Sequence, residues 1–482
     1  MALILLIDLI VVLSMLRAGR KRLENALPVF CFFLVLVPFE SRLVIPGLFD
    51  LSTERVAVVT LLLMFLTRPG DRIRRSQIPF KNLMFLHLGW VICSTAISLS
   101  VATSTKQVLS QVVEYYLLYY MLIRIISDTD TVYKMVYAMM IALSVCCVFG
   151  MLEAYETWSI LRVFPSNLWT TYDGGHDPLY IEWGRGLRIR STFPHPILFG
   201  DALAMGIPLT LFLLSFWKQR RQRFALWGMV VLMFWAVYKT SSRGPWIGVA
   251  VSAVMLFLLV QNRVRKYLIA IAVLALVALI TRPGVLGTIE NLYESTTDSS
   301  SPVGSSYQYR AALNDSVRDA VQKDSSRMIF GYGLGTFREL GLEIKFLNVT
   351  QRWFTCDNNW AAFLYETGYG GLLIIGALLL SPLLRTLRNY RRLPRPERYF
   401  SGVLFINLAT FYFLLLSVAG YGWGQQGFMA WILISLSVVY PEAVLRERRQ
   451  ENDPANVSAS RSLPVPQLRP SPLEAWVAQQ NA

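Results

Sequence analysis

Charged side chains are scarce in this chain of 482 residues: Asp, Glu, Lys and Arg make up 16% of it, whereas hydrophobic residues make up 54%. A soluble protein of this length needs a more charged surface, so the composition predicts that most of the chain lies in lipid. The net charge of +15 would suit nucleic acid if the cations covered one surface. They are instead confined to short clusters beside apolar stretches, which excludes nucleic acid as the partner.

Histidine and cysteine are also few, with three His and five Cys residues. No pair of them has the spacing of metal ligands, so we predict no metal site. Four of the cysteines fall in apolar stretches, which leaves Cys356 alone on a loop and provides no disulfide framework. The run G-Y-G-L-G at 331–335 lacks the spacing of a dinucleotide fingerprint and predicts a turn or a close backbone approach.

Lysine and arginine recur in seven basic clusters, which are separated by one apolar stretch or by a pair of them. The basic clusters lie at 17–22, 68–81, 124–134, 218–223, 263–266, 385–398 and 446–449. Cytoplasmic loops of polytopic membrane proteins carry such an excess of Lys and Arg. We therefore expect all seven on the cytoplasmic side, with the start of the chain and the alternate loops outside.

The apolar stretches are long enough to cross a bilayer. They run at 1–16, 26–39, 51–67, 80–100, 107–126, 132–153, 195–216, 224–240, 244–261, 267–281, 358–384, 400–420 and 427–441. This pattern predicts an all-α integral membrane protein with about thirteen transmembrane helices. Its predicted parts are an N-terminal bundle (1–153), a first outward loop (154–194), central membrane helices (195–281), a large outward loop that is partly helical (282–357), C-terminal membrane helices (358–441) and a disordered cytoplasmic tail (442–482).

Three arginines lie at the predicted outer boundary of the membrane, where orientation rules disfavour cations. Arg190 precedes an apolar stretch, Arg243 lies on a tight turn between two of them, and Arg310 begins an amphipathic helix of the large loop. A planar, permanently charged guanidinium group suits a phosphate or a diphosphate. The alternative is snorkelling or pairing with a nearby carboxylate, although charges at such a boundary favour function.

Other polar residues accompany these arginines at the ends of apolar stretches. Asp357, which is followed by Asn358, is either a general base for a hydroxyl group or a helix N-cap. Glu366 lies deeper in the same stretch and either positions Arg243 or serves packing. His195 stands between two prolines, and such a residue is more often a structural hydrogen bonder than a catalyst.

Several sequence stretches in this order resemble the O-antigen ligase and polymerase superfamily of bacterial membrane glycosyltransferases. They are R-I-R-S-T-F-P-H-P-I-L-F-G at 188–200, T-S-S-R-G-P-W-I-G at 240–248, Y-R-A-A-L at 309–313, I-F-G-Y-G-L-G-T-F at 329–337, D-N-N-W at 357–360 and G-Y-G-G at 368–371. The resemblance spans roughly residues 185–385. It implies a GT-C-like fold of many helices in the bacterial cytoplasmic membrane, with an active site that faces the periplasm or the cell exterior.

The resemblance also implies a chemistry and a set of partners. The donor would be a glycan on a polyprenyl diphosphate, the acceptor a second glycan, and neither a metal nor another cofactor would be needed. Membrane lipids, and optionally a chain-length regulator, complete the implied partners. Arg190, Arg243 and Arg310 would bind the donor diphosphate, whose charge grows as the glycosidic bond breaks. We therefore expect these arginines and Asp357 to line one outward cavity.

One departure from the family pattern bears on the reaction. Ligases of this group carry His-Asn or a similar pair ahead of G-x-x-G, with the His as proposed base, whereas Asp357-Asn358 stands here at the same spacing. Aspartate resembles the polymerase-type members, so we expect a polymerase of lipid-linked repeat units. Asp357 and Arg243 would then be catalytic, with His195, Asn358 and Glu366 in support.

Three alternatives stay open at this point. A ligase would transfer the finished glycan to a lipid or protein acceptor. A glycolipid transporter or flippase is disfavoured because the unusual charges lie at one boundary rather than near the bilayer midplane. A nonenzymatic scaffold for glycan export is the last alternative.

Overall fold

A computed structural model of the protein describes residues 1–44, 50–73, 77–169, 177–182, 186–216, 219–260, 262–281, 302–346 and 349–451. The helices in these ranges are α1 (Ala2–Ala18), α2 (Ala26–Leu36), α3 (Thr53–Thr67), α4 (Lys81–Ala96), α5 (Val101–Gln111), α6 (Leu118–Ile125), α7 (Thr129–Glu156), α8 (Pro196–Phe216), α9 (Arg220–Lys239), α10 (Arg243–Leu259), α11 (Asn262–Thr281), α12 (Pro302–Gln322), α13 (Ser325–Phe330), α14 (Thr336–Leu340), α15 (Asn359–Arg392), α16 (Arg398–Leu414) and α17 (Gln425–Glu451). A π-helix, Val112–Leu117, joins α5 to α6. The protein is therefore mostly helical, as predicted.

Short antiparallel hairpins add strands that the sequence did not predict. They pair β1 (Arg42–Leu43) with β2 (Leu51–Ser52), β3 (Tyr180–Glu182) with β4 (Gly186–Arg188), and β5 (Leu342–Phe346) with β6 (Val349–Trp353). The β3–β4 and β5–β6 hairpins lie in loops that the sequence places outside the membrane, whereas β2 falls at the start of the predicted apolar stretch 51–67. Pairing satisfies the backbone groups of these connections, which have no helix to do so.

Several helices have the properties of membrane crossings. In the described ranges, α7, α8, α15 and α17 are the four helices long and apolar enough to span a bilayer, and three shorter apolar helices accompany them. Large apolar side chains also face outward, such as Leu9 and Leu13 of α1 and Leu63 of α3, which is expected of a surface in contact with lipid. Every predicted apolar stretch overlaps a helix, but the predicted count of about thirteen crossings is not confirmed.

Hydrogen bonds connect the basic clusters to one another, or to the neighbouring residues Leu259 and Tyr267, at one end of the helix bundle. They join Arg68 to the carbonyl of Arg20, the amide of Ile73 to the carbonyl of Arg124, Arg446 to the carbonyl of Ser127, Arg448 to Glu397, Tyr390 to the carbonyl of Leu259, and Arg223 to Tyr267. The bundle therefore has a strongly basic end and an opposite end. This arrangement agrees with the placement of all seven basic clusters on one side.

Two parts of the predicted organisation meet the described residues only in part. The helix α17 continues to Glu451, so the first residues of the predicted disordered tail are helical, and 452–482 lie outside the described residues. The large loop is described from 302 onward, and its residues 282–301 lie outside the described residues. The predicted apolar face of α12 is confirmed, because Leu313, Val317 and Val321 are fully buried.

Candidate active site

A glycine segment, Gly331–Gly335, positions the large loop against the membrane helices. Gly331 has a positive φ of 72°, and a Cβ atom there would lie 2.5 Å from the backbone carbon of Glu366. On the facing side, Gly368 interrupts α15 with a φ of 66°, and its Cβ would lie 2.3 Å from the carbonyl oxygen of Ile329. Only residues without a side chain allow the two backbones to meet so closely. The prediction of a close backbone approach at this run is confirmed.

A cavity of about 910 Å³ opens beside this contact. Its walls come from the α5 and π-helix region, the loop before α8, the large loop, and the connection between α16 and α17. The polar and aromatic lining residues include His87, Gln107, Ser110, Gln111, Glu114, Tyr180, Glu182, Arg188, His195, Tyr309, Arg310, Arg338, Trp353, Asp357, Asn359, Glu366, Tyr421 and Trp423. Helix α15 begins at this cavity and ends in the basic cluster 385–398, so the cavity lies at the end of the bundle opposite the basic clusters.

Arg310 and Asp357 face each other in this cavity. The Arg310 Nη2 atom lies 3.8 Å from Asp357 Oδ2, and the two side chains are 34% and 35% exposed. The same nitrogen lies 3.4 Å from the carbonyl oxygen of Ser417, and the buried Nε has no hydrogen-bond partner among the described residues. Both contacts are long for charge-assisted hydrogen bonds. The Arg310 guanidinium therefore keeps donor capacity for an anionic ligand.

Asn358, not Asp357, caps the helix α15. Its side-chain oxygen accepts hydrogen bonds from the backbone amides of Trp360 at 3.0 Å and Ala361 at 3.4 Å, and its amide donates to Asn314 at 3.0 Å. The cap interpretation of Asp357 is thus corrected: the neighbouring amide satisfies the free N–H groups. Asp357 lines the cavity beside Arg310.

Arg190 is not among the residues that line the cavity. Its side chain is 1% exposed and donates to the carbonyl oxygens of Pro178 at 2.7 Å and Pro194 at 3.0 Å. Burial lowers its pKa, an effect that the nearby Glu40 and Glu153 oppose. These contacts fix the loop that carries Tyr180 and His195, so the observed geometry gives Arg190 a structural part.

Arg243 begins α10 and is also absent from the cavity lining. It nevertheless lies close to the Arg310 side of the cavity. A Cβ atom on the adjacent Gly244 would lie 2.9 Å from the hydroxyl of Ser417, and the carbonyl oxygen of Ser417 lies 3.4 Å from Arg310 Nη2. Arg243 is therefore placed beside the cavity, one residue away from the segment that contacts Arg310.

The remaining predicted residues, His195 and Glu366, both line the cavity. His195 Nδ1 accepts a hydrogen bond from the amide of Ile197 at 3.1 Å, so the proton of a neutral imidazole belongs on Nε2, which is 2.9 Å from the Tyr180 hydroxyl. This is the predicted structural type of histidine. The Glu366 carboxylate accepts hydrogen bonds from the backbone amides of Gly335 and Phe337 and so braces the glycine segment. The role expected of Glu366, which was to position Arg243, is a different one and stays a prediction.

Residues 228–376 match the O-antigen ligase family. The match supports the resemblance to the O-antigen ligase and polymerase superfamily that the sequence motifs predicted. The matched segment contains Arg243, Arg310, Asp357 and Glu366, whereas Arg190 and His195 precede it. No curated protein matches the chain at a significant level.

The matched segment contains a cavity residue that the sequence did not indicate. Arg338 lines the cavity with its guanidinium carbon 5.7 Å from the ring centroid of Trp423. Desolvation by the surrounding protein, with a further contribution from Arg42, lowers its pKa. Its only sequence signal is its place directly after the G-Y-G-L-G-T-F motif, which by itself does not separate it from an ordinary surface cation.

Arg188 is a second missed arginine, but its hydrogen-bonding capacity is used by the protein. It pairs with Glu182 and donates to the hydroxyl of Ser242 at 2.6 Å and to the carbonyl of Thr240 at 3.0 Å. It therefore ties the β3–β4 hairpin to the turn before α10.

Among the described residues no group of three or more His, Cys, Asp and Glu side chains has the arrangement of a metal site.

Proposed function

We propose that this protein is a membrane glycosyltransferase that polymerises polyprenyl-diphosphate-linked oligosaccharide repeat units on the outer face of the bacterial cytoplasmic membrane. The observation that carries the proposal is the Arg310–Asp357 pair in a cavity of about 910 Å³, at the end of the bundle opposite the basic clusters. The positive-inside rule assigns the basic clusters to the cytoplasm. The cavity then faces the periplasm or the cell exterior.

In the proposed reaction, a hydroxyl oxygen of the acceptor glycan attacks the anomeric carbon of the donor sugar. The bond from that carbon to the diphosphate oxygen breaks, and its electron pair remains on the polyprenyl diphosphate. Asp357 receives the proton of the attacking hydroxyl. Arg310 stabilises the charge that grows on the leaving diphosphate, and because guanidinium groups are permanently charged, the proposal requires neither a metal nor another cofactor.

The long Arg310–Asp357 contact supports a link between donor binding and base strength. The Arg310 cation lies 3.8 Å from the Asp357 carboxylate, and such a neighbour stabilises the negative charge of a carboxylate and so weakens it as a proton acceptor. A bound diphosphate would draw the Arg310 guanidinium into a bidentate contact. Asp357 would then lose part of its counter-charge when the acceptor arrives. Arg243, beside Ser417, is proposed as a second ligand of the diphosphate at the rim.

A ligase is the second candidate, because the matching family is described as O-antigen ligase. A ligase would use the same cavity and the same leaving group, but its acceptor would be a lipid or a protein. The product distinguishes the two reactions. A deletion strain that accumulates single repeat units indicates a polymerase, whereas a strain that accumulates long polymer not attached to the acceptor indicates a ligase.

The test of the proposed site is the Arg310→Ala variant in a complemented deletion strain, with polymer length measured on gels at matched protein levels. Loss of one preorganised donor typically lowers the rate by about 10²–10³-fold, so we expect short or absent polymer. The matched control is Arg352→Ala, an exposed arginine of β6 that pairs with Glu343 at the surface. Wild-type chain lengths in the Arg310→Ala strain would contradict the proposal.

A further inference from the structure

The Arg338 side chain faces the cavity and forms no hydrogen bond or ion pair with any described residue of the chain. Its position on α14 follows the glycine segment, and its side chain is exposed to the cavity. The neighbouring Arg42 adds repulsion rather than compensation. Arg310 differs because it faces Asp357. Among the described residues the cavity lining thus contains three arginines. Arg188 pairs with Glu182 and Arg310 faces Asp357, whereas Arg338 has no carboxylate opposite it.

The ring next to this cation is the indole of Trp423. The Arg338 guanidinium lies 5.7 Å from the ring centroid, near the outer limit of a cation–π contact, so the guanidinium is loosely held. The indole N–H is buried without a hydrogen-bond partner among the described residues. An aromatic face offers contact area to the apolar face of a sugar ring, and a guanidinium offers a bidentate contact to a carboxylate.

We propose that Arg338 and Trp423 form a subsite for an acidic sugar of the glycan, a hexuronate or another sugar that carries a carboxylate. The sugar ring stacks on Trp423 and its carboxylate pairs with Arg338. This subsite rests on the proposed function, since the glycan enters the cavity as donor or acceptor. A diphosphate carries the charge without the ring, so it would use Arg338 but gain little from Trp423.

The test is a binding measurement on the purified full-length protein in detergent, by saturation-transfer NMR titration. The probes are methyl β-D-glucuronide, methyl β-D-glucoside and inorganic pyrophosphate. We expect the glucuronide to bind about tenfold more tightly than the glucoside, since a charge-assisted bidentate contact distinguishes them. Arg338→Gln should reduce this preference to below about twofold, and Trp423→Ala should weaken both sugars alike.

Two further variants separate loss of charge from loss of fold. Arg338→Lys keeps the cation and should retain a preference of at least about threefold, and the exposed Arg352→Gln should keep the full preference. Equal affinity for the two sugars in the wild type would overturn the proposal. An unchanged preference in Arg338→Gln, or displacement of the glucuronide by equimolar pyrophosphate, would also overturn it.

The same measurement distinguishes a failure of this subsite from a failure of the proposed function. Arg310→Ala should abolish glycosyl transfer while leaving the preference for glucuronide over glucoside in place. A protein that binds glucuronide selectively but transfers no glycan would refute the reaction and keep the subsite. A protein that transfers glycan without preferring glucuronide over glucoside would refute the subsite and keep the reaction.

Discussion

The arginines near the cavity differ in how much of their hydrogen-bonding capacity the protein already uses. Arg188 gives its donors to Glu182, Ser242 and Thr240, whereas Arg310 makes contacts of only 3.4 and 3.8 Å. A guanidinium whose donors are occupied cannot also bind a diphosphate without breaking those bonds. This difference, more than position in the sequence, makes Arg310 the candidate ligand.

Asp357 and Asn358 provide a matched test at neighbouring positions. Asp357→Asn removes the proposed proton acceptor, and we expect transfer to fall by about 10²–10⁴-fold with little change in melting temperature. Asn358→Ala removes the cap of α15 and should cost about 1 kcal/mol of stability while the chemistry continues. Transfer rate and thermal melting in detergent measure the two effects. Equal loss of transfer in both variants at equal stability would contradict the assignment of base and cap.

The sequence pattern indicated Arg310, Asp357, His195 and Glu366. Asp357 and His195 stand at the ends of apolar stretches, Arg310 lies in the large outward loop, and Glu366 is a charge within an apolar stretch. The pattern did not rank Arg190 below Arg338. Arg190 lies in a longer motif, yet its side chain is buried and both of its terminal nitrogens donate to the carbonyls of Pro178 and Pro194. Those acceptors come from bends of one loop, and a loop conformation has no periodic signal in the sequence.

At the scale of elements, the interrupted helix α15 sets the geometry of the site. Its first turns carry Asn359 and Glu366 at the cavity, and Gly368 then breaks the helix. Asn359 accepts from the amide of Tyr421 at 2.9 Å, and the Glu366 carboxylate binds the backbone beside Gly335. The interruption therefore joins the glycine segment and the α16–α17 connection to one short helical piece.

Substitution of Gly368 tests this interruption. Gly368→Ala places a Cβ atom 2.3 Å from a carbonyl oxygen at a φ of 66°, and we expect a loss of about 1–3 kcal/mol together with lost transfer. Gly376→Ala on the same helix is the control, because nothing lies within 4 Å of its Cβ, and alanine there should be neutral or stabilising by up to about 1 kcal/mol. The measurement is the melting temperature of each variant in detergent. Equal melting temperatures for Gly368→Ala and Gly376→Ala would contradict this account.

The helical elements could be predicted because membrane helices need long apolar runs. The β-hairpins could not, since strands such as Arg42–Leu43 are too short to show alternation. The π-helix Val112–Leu117 has the composition of any membrane helix. The extension of α17 beyond the predicted span depends on polar contacts at the basic end, such as Thr129 with Glu447, and those partners are distant in sequence.

At the scale of the whole molecule, the fold places the basic clusters and the candidate active site at opposite ends of the helix bundle. Hydrogen bonds gather the basic clusters at one end, and the cavity with Arg310 and Asp357 lies at the other. The charge pattern of the sequence predicted this division, because successive loops between membrane helices alternate between the two sides and the basic clusters mark one of them. Which residues line the cavity could not be predicted from the sequence, since residues as distant in the chain as Gln107 and Trp423 line it together.

The most direct test of the central claim is glycan transfer by the purified protein in liposomes that contain a polyprenyl-diphosphate-linked repeat unit. The account predicts that the wild type lengthens the glycan when donor and acceptor occupy the leaflet on the cavity side, without added metal. Arg310→Ala and Asp357→Asn, inserted to the same level, should each lose at least about 10²-fold in rate. Transfer at the wild-type rate by both variants, or transfer only from the leaflet beside the basic clusters, would contradict it.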